Sequence, residues 1–256
     1  MASCELQSNT DIATQCAINY TELTRQGIES IIKMRPVNIH HYQQAFVHKS
    51  VQKFIKALKK PPEYMKESYE RYEYLGDSVL NLVVANFLFD KYKNKPEGLL
   101  TRLRTKLVNG KTLSIFARHL NLGQYIVMSN NVENINGREN NRILEDVFEA
   151  LICAIYLDLG FKNAETFIIM CISEVIDFDE LESDDNYKDI LLRFCQGKMQ
   201  TVPTYSIAEV EGPPHNRNFT ICCIIQGIKY KTGVGKSKKI AEQMSACETL
   251  RSFGQI

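Results

Sequence analysis

The chain has 256 residues, enough for one large domain or two smaller ones, and 44% of them are hydrophobic. Its formal net charge of +1 predicts no partner by itself. No apolar run approaches the roughly twenty residues of a membrane span, and the N-terminus lacks the features of a secretory signal. Its eight cysteines form no C-x-x-C pair. We therefore expect a soluble protein of a reducing compartment, cytoplasmic, encoded by a cell or a virus, with no membrane partner.

The first part of the chain is predicted to be all-α. Residues 1–27 read as a polar lead-in, and 28–176 as a helical domain without sustained period-two alternation. Its predicted elements from residue 68 onwards are a long helix over 68–92, an amphipathic stretch over 99–120, a loop over 130–141, and helices over 142–158 and 162–176.

The composition changes between residues 174 and 185, where seven acidic residues occur without a basic one. Such a run is typical of a solvated linker, which we predict over 177–185. The first 185 residues carry twenty-one Lys and Arg against twenty-five Asp and Glu, and the remainder carries ten against five. An acidic larger domain is thus followed by a basic smaller one, over 186–254.

The smaller domain has the predicted order α-β-β-β-α, which makes it an α+β domain. Its strands alternate or are rich in β-branched residues, and the stretch Gly-Pro-Pro-His-Asn at 212–216 predicts the turn of a hairpin. The predicted elements are a helix over 187–198, strands over 204–211, 218–225 and 229–235, and a helix over 237–253.

Two of the predicted helices carry pairs of carboxylates inside apolar runs: Glu73 with Asp77, and Asp146 with Glu149. The spacings of four and three residues place each pair on one face of its helix. Buried like charges cost several kcal/mol per ion unless they are compensated. A single pair could reflect helix caps or ion pairs with neighbouring arginines, whereas two such pairs favour a divalent metal. All-oxygen ligands fit Mg²⁺, or Mn²⁺ in its place, better than Zn²⁺, and such a metal suits phosphodiester hydrolysis.

The segment that contains the first pair, Glu-Arg-Tyr-Glu-Tyr-Leu-Gly-Asp-Ser-Val-Leu at 70–80, resembles the signature of the ribonuclease III family, E-R-L-E-F-L-G-D-A-V-L. The resemblance continues in the family's order and spans about residues 28–254. Its further matches are Ala-Phe-Val-His-Lys-Ser at 45–50, the segments 97–104 and 107–113, and Leu-Glu-Asp-Val-Phe-Glu-Ala-Leu-Ile-Cys-Ala-Ile-Tyr-Leu-Asp at 144–158.

This resemblance implies a double-strand-specific endoribonuclease whose products carry 5′-phosphates, 3′-hydroxyls and short 3′ overhangs. It implies a homodimer in which two centres face one RNA cleft, with Tyr72, Tyr74 and Leu75 as the expected contacts. The implied residue roles are Asp77 and Glu149 as catalytic acids, Glu73, Asp77, Asp146 and Glu149 as metal ligands, and Glu70 and Glu97 as indirect support.

The smaller domain resembles a double-stranded RNA-binding domain. Lys236, Lys238 and Lys239 lie at the predicted start of its last helix, where backbone N–H groups and the helix dipole favour phosphate. Lysines alone are also typical of a solvated face. The resemblance implies that these lysines bind phosphates across the major groove and that His215, with its neighbouring proline, approaches the minor groove.

Two departures from the pattern of such domains leave the strength of binding open. Leu192 and Arg193 stand where a polar Gln-Glu pair is common, so Arg193 either replaces that contact with a phosphate contact or the contact is weakened. Glu242 stands where many of these domains carry a third lysine.

Two alternatives to a self-sufficient enzyme remain at this stage. One is a protein that binds duplex RNA without cutting it, against which the four acids argue. The other is a chain that supplies only one of two half-sites within a larger assembly.

Overall fold

The computed structural model describes residues 21–57, 60–182, 186–213 and 216–256. The chain divides into two compact units, Met1–Leu181 and Glu182–Ile256, here called the helical unit and the α/β unit. Within the described ranges, no helix is long and apolar enough to cross a membrane. The predicted fold class, a helical domain followed by a small α+β domain, is confirmed.

The helical unit consists of helices joined by short turns. Val47 and Val127 form an isolated parallel bridge between two of its connections. The helices are α1 (Arg25–Ile32), α2 (Ile39–Ala45), α3 (Gln52–Ala57), α4 (Glu70–Lys91), α5 (Glu97–Leu107), α6 (Gly110–His119), α7 (Asn130–Glu133), α8 (Asn141–Leu159), α9 (Phe161–Val175) and α10 (Phe178–Glu182).

Helix α8 is the centre of the helical unit. All of its residues from Val147 to Ile155 are buried, including Glu149, which is the pattern of a helix surrounded by others. Helix α4 packs along it and contributes Leu80, Val83 and Val84 to the same core. Each of the two carboxylate pairs therefore lies on a helix that the core fixes firmly.

Several boundaries differ from the sequence-based expectation. The stretch over 99–120 is two helices, because Asn109 caps α6 by accepting a hydrogen bond from the Thr112 N–H at 3.0 Å. The predicted loop over 130–141 contains α7. At the N-terminal side, α1 begins at Arg25 and Leu23 is buried, so the core takes in the last residues of the predicted lead-in.

The predicted acidic linker over 177–185 is in part a helix. In α10, Leu181 is buried in the core of the helical unit and Phe178 packs against that core. These two apolar side chains dock the segment against the core. The linker prediction missed them because it was based on the acidic residues alone. Residues 183–185 lie outside the described residues.

The α/β unit contains α11 (Tyr187–Phe194), which continues as a π-helical turn at Cys195–Met199, and α12 (Lys238–Ser252). Strands β1 (Thr204–Glu211), β2 (Asn218–Ile225) and β3 (Ile228–Gly235) form an antiparallel sheet in the order β1-β2-β3. The two helices cover one face of this sheet. The core is shared by the helices and β2 through Leu191, Cys195, Cys223, Ile225, Ala246 and Leu250.

Candidate active site

The carboxylate pairs come together because α4 and α8 approach at Gly76. A Cβ atom on Gly76 would lie 1.8 Å from the backbone oxygen of Glu149, far inside van der Waals contact. Only glycine permits this approach, and it lies between Glu73 and Asp77 in sequence. The same close contact that joins the two helices thus brings their acids together.

Burial differs among the four predicted metal ligands. Glu149 is buried, with 8% of its surface exposed, whereas Glu73 and Asp146 are half-buried and Asp77 is exposed. Two of the acids are oriented by neighbours: the Asn81 Nδ2 donates to Asp77 Oδ1 at 2.7 Å, and the Tyr69 hydroxyl donates to Asp146 Oδ2 at 3.2 Å.

Electrostatics show that the four acids act on one another. Burial raises the pKa of Glu149 to about 8, and the charges of Asp77, Glu73 and Asp146 contribute to that rise. Burial, followed by the charge of Asp146, also raises the pKa of Glu73. Negative charge is concentrated here beyond what the protein compensates, as expected where a cation binds.

A fifth acid, Glu145, belongs to this cluster and was missed in the sequence. Burial and the neighbouring Asp146 raise its pKa, and its charge contributes to the raised pKa of Glu149. Its carboxylate lies over Gly110 at the start of α6, where an added Cβ would be 2.2 Å from Oε2. The signal was available, because Glu145 is four residues before Glu149 and so shares its helix face.

The two acids predicted to give indirect support are placed differently. Glu70 accepts hydrogen bonds from Lys49 Nζ and Ser68 Oγ, each at 3.0 Å, and these bonds lower its pKa. Glu97 is exposed and accepts a bond from Thr101 in its own helix at 2.6 Å. Glu70 thus borders the cluster, whereas the described contact of Glu97 is local to α5.

The donor set fits a hard divalent cation. Its members offer only carboxylate oxygens, which Mg²⁺ and Mn²⁺ prefer, and a bound cation would relieve their repulsion. Across the part of the chain that the structure describes, no three Asp, Glu, His or Cys side chains already form a ready-made metal site. The cluster is therefore a set of candidate ligands held on two helices.

The α/β unit carries the predicted phosphate-binding lysines on its surface. Lys238 and Lys239 are exposed in the first turn of α12, whose N-terminus is capped by the Ser237 side chain. Lys236 donates from Nζ to Asn216 Oδ1 at 2.8 Å. The predicted contact residue His215 lies outside the described residues.

The two departures noted in the sequence have defined contacts. Arg193 pairs with Asp189 one turn earlier on α11, at 3.0 Å, and keeps 61% of its side chain exposed. Glu242 pairs with Lys188 at 2.5 Å, so its charge is balanced inside the protein.

Comparison with known protein families gives two matches in the order of the two units. Residues 38–175 match the model described as Ribonuclease-III-like, and residues 187–252 match the double-stranded RNA binding motif. The chain belongs to the ribonuclease III family. Because its second unit matches a duplex-RNA-binding motif and its first a nuclease, it is an endoribonuclease that acts on double-stranded RNA.

Individual proteins that are similar to this chain include two named as ribonuclease III and one viral protein. Ribonuclease 3 of Syntrophomonas wolfei is 41% identical over 202 residues, which cover 74% of this chain and 84% of the relative. A protein of Paramecium bursaria Chlorella virus 1 is 36% identical over 90% of this chain and 80% of its own length. The solved nuclease domain of ribonuclease III from Campylobacter jejuni is 37% identical with a TM-score of 0.52, covering 59% of this chain and 97% of that domain. None of these findings favours a protein that binds duplex RNA without cutting it.

Proposed function

We propose that Glu73, Asp77, Asp146 and Glu149 hold Mg²⁺, or Mn²⁺ in its place, with Asp77 and Glu149 as the residues on which cleavage depends most. When bound, the metal supplies water activation and charge compensation at the leaving 3′ oxygen. The observation that carries this assignment is the approach of α4 and α8 at Gly76, which unites the two carboxylate pairs.

The chain's own residues keep the ligands in place. Asn81 fixes the orientation of Asp77, and Tyr69 that of Asp146, through the hydrogen bonds described above. Lys49 neutralises Glu70 at the border of the cluster. Glu149 is held by the buried core of α8, which limits its rotamers and its access to water.

The α/β unit holds the duplex by its shape and phosphates. Lys236, Lys238 and Lys239 present charge where the N-terminus of α12 already favours anions. In this proposal His215 approaches the minor groove and Arg193 contacts a phosphate, because most of its side chain is exposed. Such binding is sensitive to salt, since it displaces counterions from the RNA.

A homodimer completes the proposal, with α4 as its interface. Tyr74, Leu82 and Phe89 expose 78%, 54% and 70% of their surfaces on this helix. The structure of the Campylobacter jejuni domain is described by flexibility in a region involved in dimer formation. Of the contacts expected from the sequence, Tyr72 is half-buried, and its hydroxyl lies 2.8 Å from His41 Nδ1.

The proposed products carry 5′-phosphates and 3′-hydroxyls with short 3′ overhangs, since two centres of a dimer cut opposite strands. We expect the protein to act in the cytoplasm, in RNA processing or degradation. Sedimentation of the purified chain tests the dimer, and a strict monomer would contradict it.

The decisive experiment is cleavage of a long RNA duplex in Mg²⁺ and in EDTA, with the native chain and with Glu149→Gln. We expect cleavage only in Mg²⁺ and a loss of at least about 10²-fold in the variant, because a ligand matters more than the residues around it. Duplex binding is expected to survive in both. Full activity of Glu149→Gln would overturn the site assignment.

A further inference from the structure

In the otherwise acidic helical unit, a basic segment precedes α4, the helix that begins with the signature over 70–80. Residues 33–62 contain seven Lys and Arg and no Asp or Glu, whereas the first 185 residues carry twenty-one basic against twenty-five acidic residues. The segment lies outside the α/β unit, which matches the double-stranded RNA binding motif. Its charge therefore needs a separate explanation.

Helix α3 fixes part of this segment in one orientation. Val51, immediately before α3, and Ile55 within it are 0% and 1% exposed. They pack in a small core with Val47, Met65 and Val127. Because Val51 and Ile55 are four residues apart, they define the inward face of this short helical segment.

Three lysines lie on the opposite, outward face. At about 100° per residue, Lys53 and Lys56 of α3 project within about 60° of one another and away from Ile55, and Lys49 lies in the 3-10 turn Lys49–Val51 that leads into α3. All three are exposed. Among the described residues, Lys53 and Lys56 have no acidic partner within ion-pair distance. We call these three residues the α3 stripe.

The α3 stripe begins at the carboxylate cluster. Lys49 donates to Glu70 Oε1 at 3.0 Å, and its charge acts to lower the pKa of both Glu73 and Asp146. The stripe then runs about 10 Å along the surface from Lys49 to Lys56. A polyanion that reaches the cluster is therefore in a position to contact the stripe as well.

We propose that the α3 stripe is a second duplex-RNA contact surface, which holds phosphates of the same duplex that the carboxylate site cuts. The inference rests on the proposed function for the position of the scissile bond. A lysine is a compact charge suited to phosphate, and a docked helix presents the row without ordering a loop on binding. The α3 stripe adds affinity for the duplex near the scissile bond. The α/β unit adds affinity for the duplex from a separate module.

The test compares two double variants of the full chain. Lys53→Gln/Lys56→Gln removes two charges from the stripe, and Lys93→Gln/Lys95→Gln removes two just beyond the far end of α4, about 30 Å along that helix from Glu73. Duplex binding is measured in EDTA from low to moderate salt, and circular dichroism verifies folding. We expect the stripe variant to bind several-fold more weakly and its salt dependence to become shallower by about 1 to 2 in the logarithmic slope.

The arginine variant of the stripe, Lys53→Arg/Lys56→Arg, is expected to retain the logarithmic salt slope of the native chain. The kcat of the glutamine variant, Lys53→Gln/Lys56→Gln, at saturating duplex is expected to be unchanged. Equal slopes for the stripe variant and the far-end control would overturn the inference. An equal loss for single-stranded RNA of the same length would also overturn it, because the surface would then not be reading a duplex. Absence of Mg²⁺-dependent cleavage in the native chain would instead overturn the proposed function, and the binding slopes in EDTA would remain decisive for the stripe.

Discussion

The carboxylate cluster of the helical unit and the lysine surface of the α/β unit handle charge in opposite ways. The acids are held between packed helices, and the one that is buried, Glu149, has a pKa raised by its burial and by the charges of the neighbouring acids. Lys238 and Lys239 are exposed to solvent at the N-terminus of α12. The first arrangement costs stability unless a cation is present, while the second costs little. The proposed metal ligands therefore depend on precise packing, whereas the proposed phosphate-binding lysines are expected to contribute separately and additively.

The strongest test of this contrast is Gly76→Ala. The added Cβ would meet the Glu149 backbone, so α4 and α8 must separate, at a cost of about 1–3 kcal/mol of unfolding free energy. A shift of about 1 Å can lower cleavage by about 10²-fold. Chemical unfolding and cleavage rates measure the two effects.

Gly98→Ala is the matched control, since a Cβ there has nothing within 4 Å. It is expected to be neutral or to stabilise α5 by up to about 1 kcal/mol. If both alanine variants behave alike, the close approach at Gly76 does not position the acids.

The second prediction concerns pH. The pKa of Glu149 is raised from its usual value of 4.5 to about 8 in the folded chain. Between pH 4.5 and about pH 8, the folded state therefore binds more protons than the unfolded state. The metal-free protein should therefore lose stability as pH rises through that window, by on the order of a few kcal/mol. Urea unfolding in EDTA between pH 5 and about pH 8 measures this loss.

Glu149→Gln should flatten the pH dependence, and excess Mg²⁺ should reduce it in the native chain. Glu73, Glu145 and Asp146 act in the same direction through their raised pKa values, so some dependence is expected to remain. An identical pH profile in the native chain and the variant would show that Glu149 is not the main uncompensated charge.

A smaller effect is expected for the exposed lysines. Lys238→Gln/Lys239→Gln should weaken duplex binding several-fold and reduce the logarithmic salt slope by about 2, one for each phosphate that the variant no longer neutralises. Unfolding free energy should stay within about 0.5 kcal/mol of the native value. Lys229→Gln/Lys231→Gln on β3 removes the same charge from the same unit, and a comparable weakening there would argue against a specific site on α12.

The smallest effect is expected for Glu242→Gln. Removing this negative charge frees Lys188, which pairs with it at 2.5 Å, and should raise duplex affinity by about twofold. The pair is partly exposed, so the loss of unfolding free energy should be at most about 1 kcal/mol. Titration of duplex RNA at fixed salt measures the change, and weaker binding would mean that the pair positions the RNA surface.

Much of this protein could be predicted from its sequence. The period of 3.6 residues indicated the long helices, and the alternation after residue 203 indicated the three strands, because local patterns reflect which face of an element is buried. The signature over 70–80 indicated the family, which the comparisons confirm, and it contains two of the four proposed metal ligands, Glu73 and Asp77. Boundaries that depend on side-chain capping, such as Asn109, or on two docked apolar residues, as in α10, were not readable from composition.

The sequence by itself determined which residues share a helix face: Glu73 with Asp77, and Asp146 with Glu149. Only the tertiary structure decided that the two faces meet, because helical spacing does not state which helices touch or how closely. The approach at Gly76 and the position of Glu145 over Gly110 depend on backbones brought within contact by the surrounding core. Periodicity is local to one helix, whereas the convergence of acids is a property of packing.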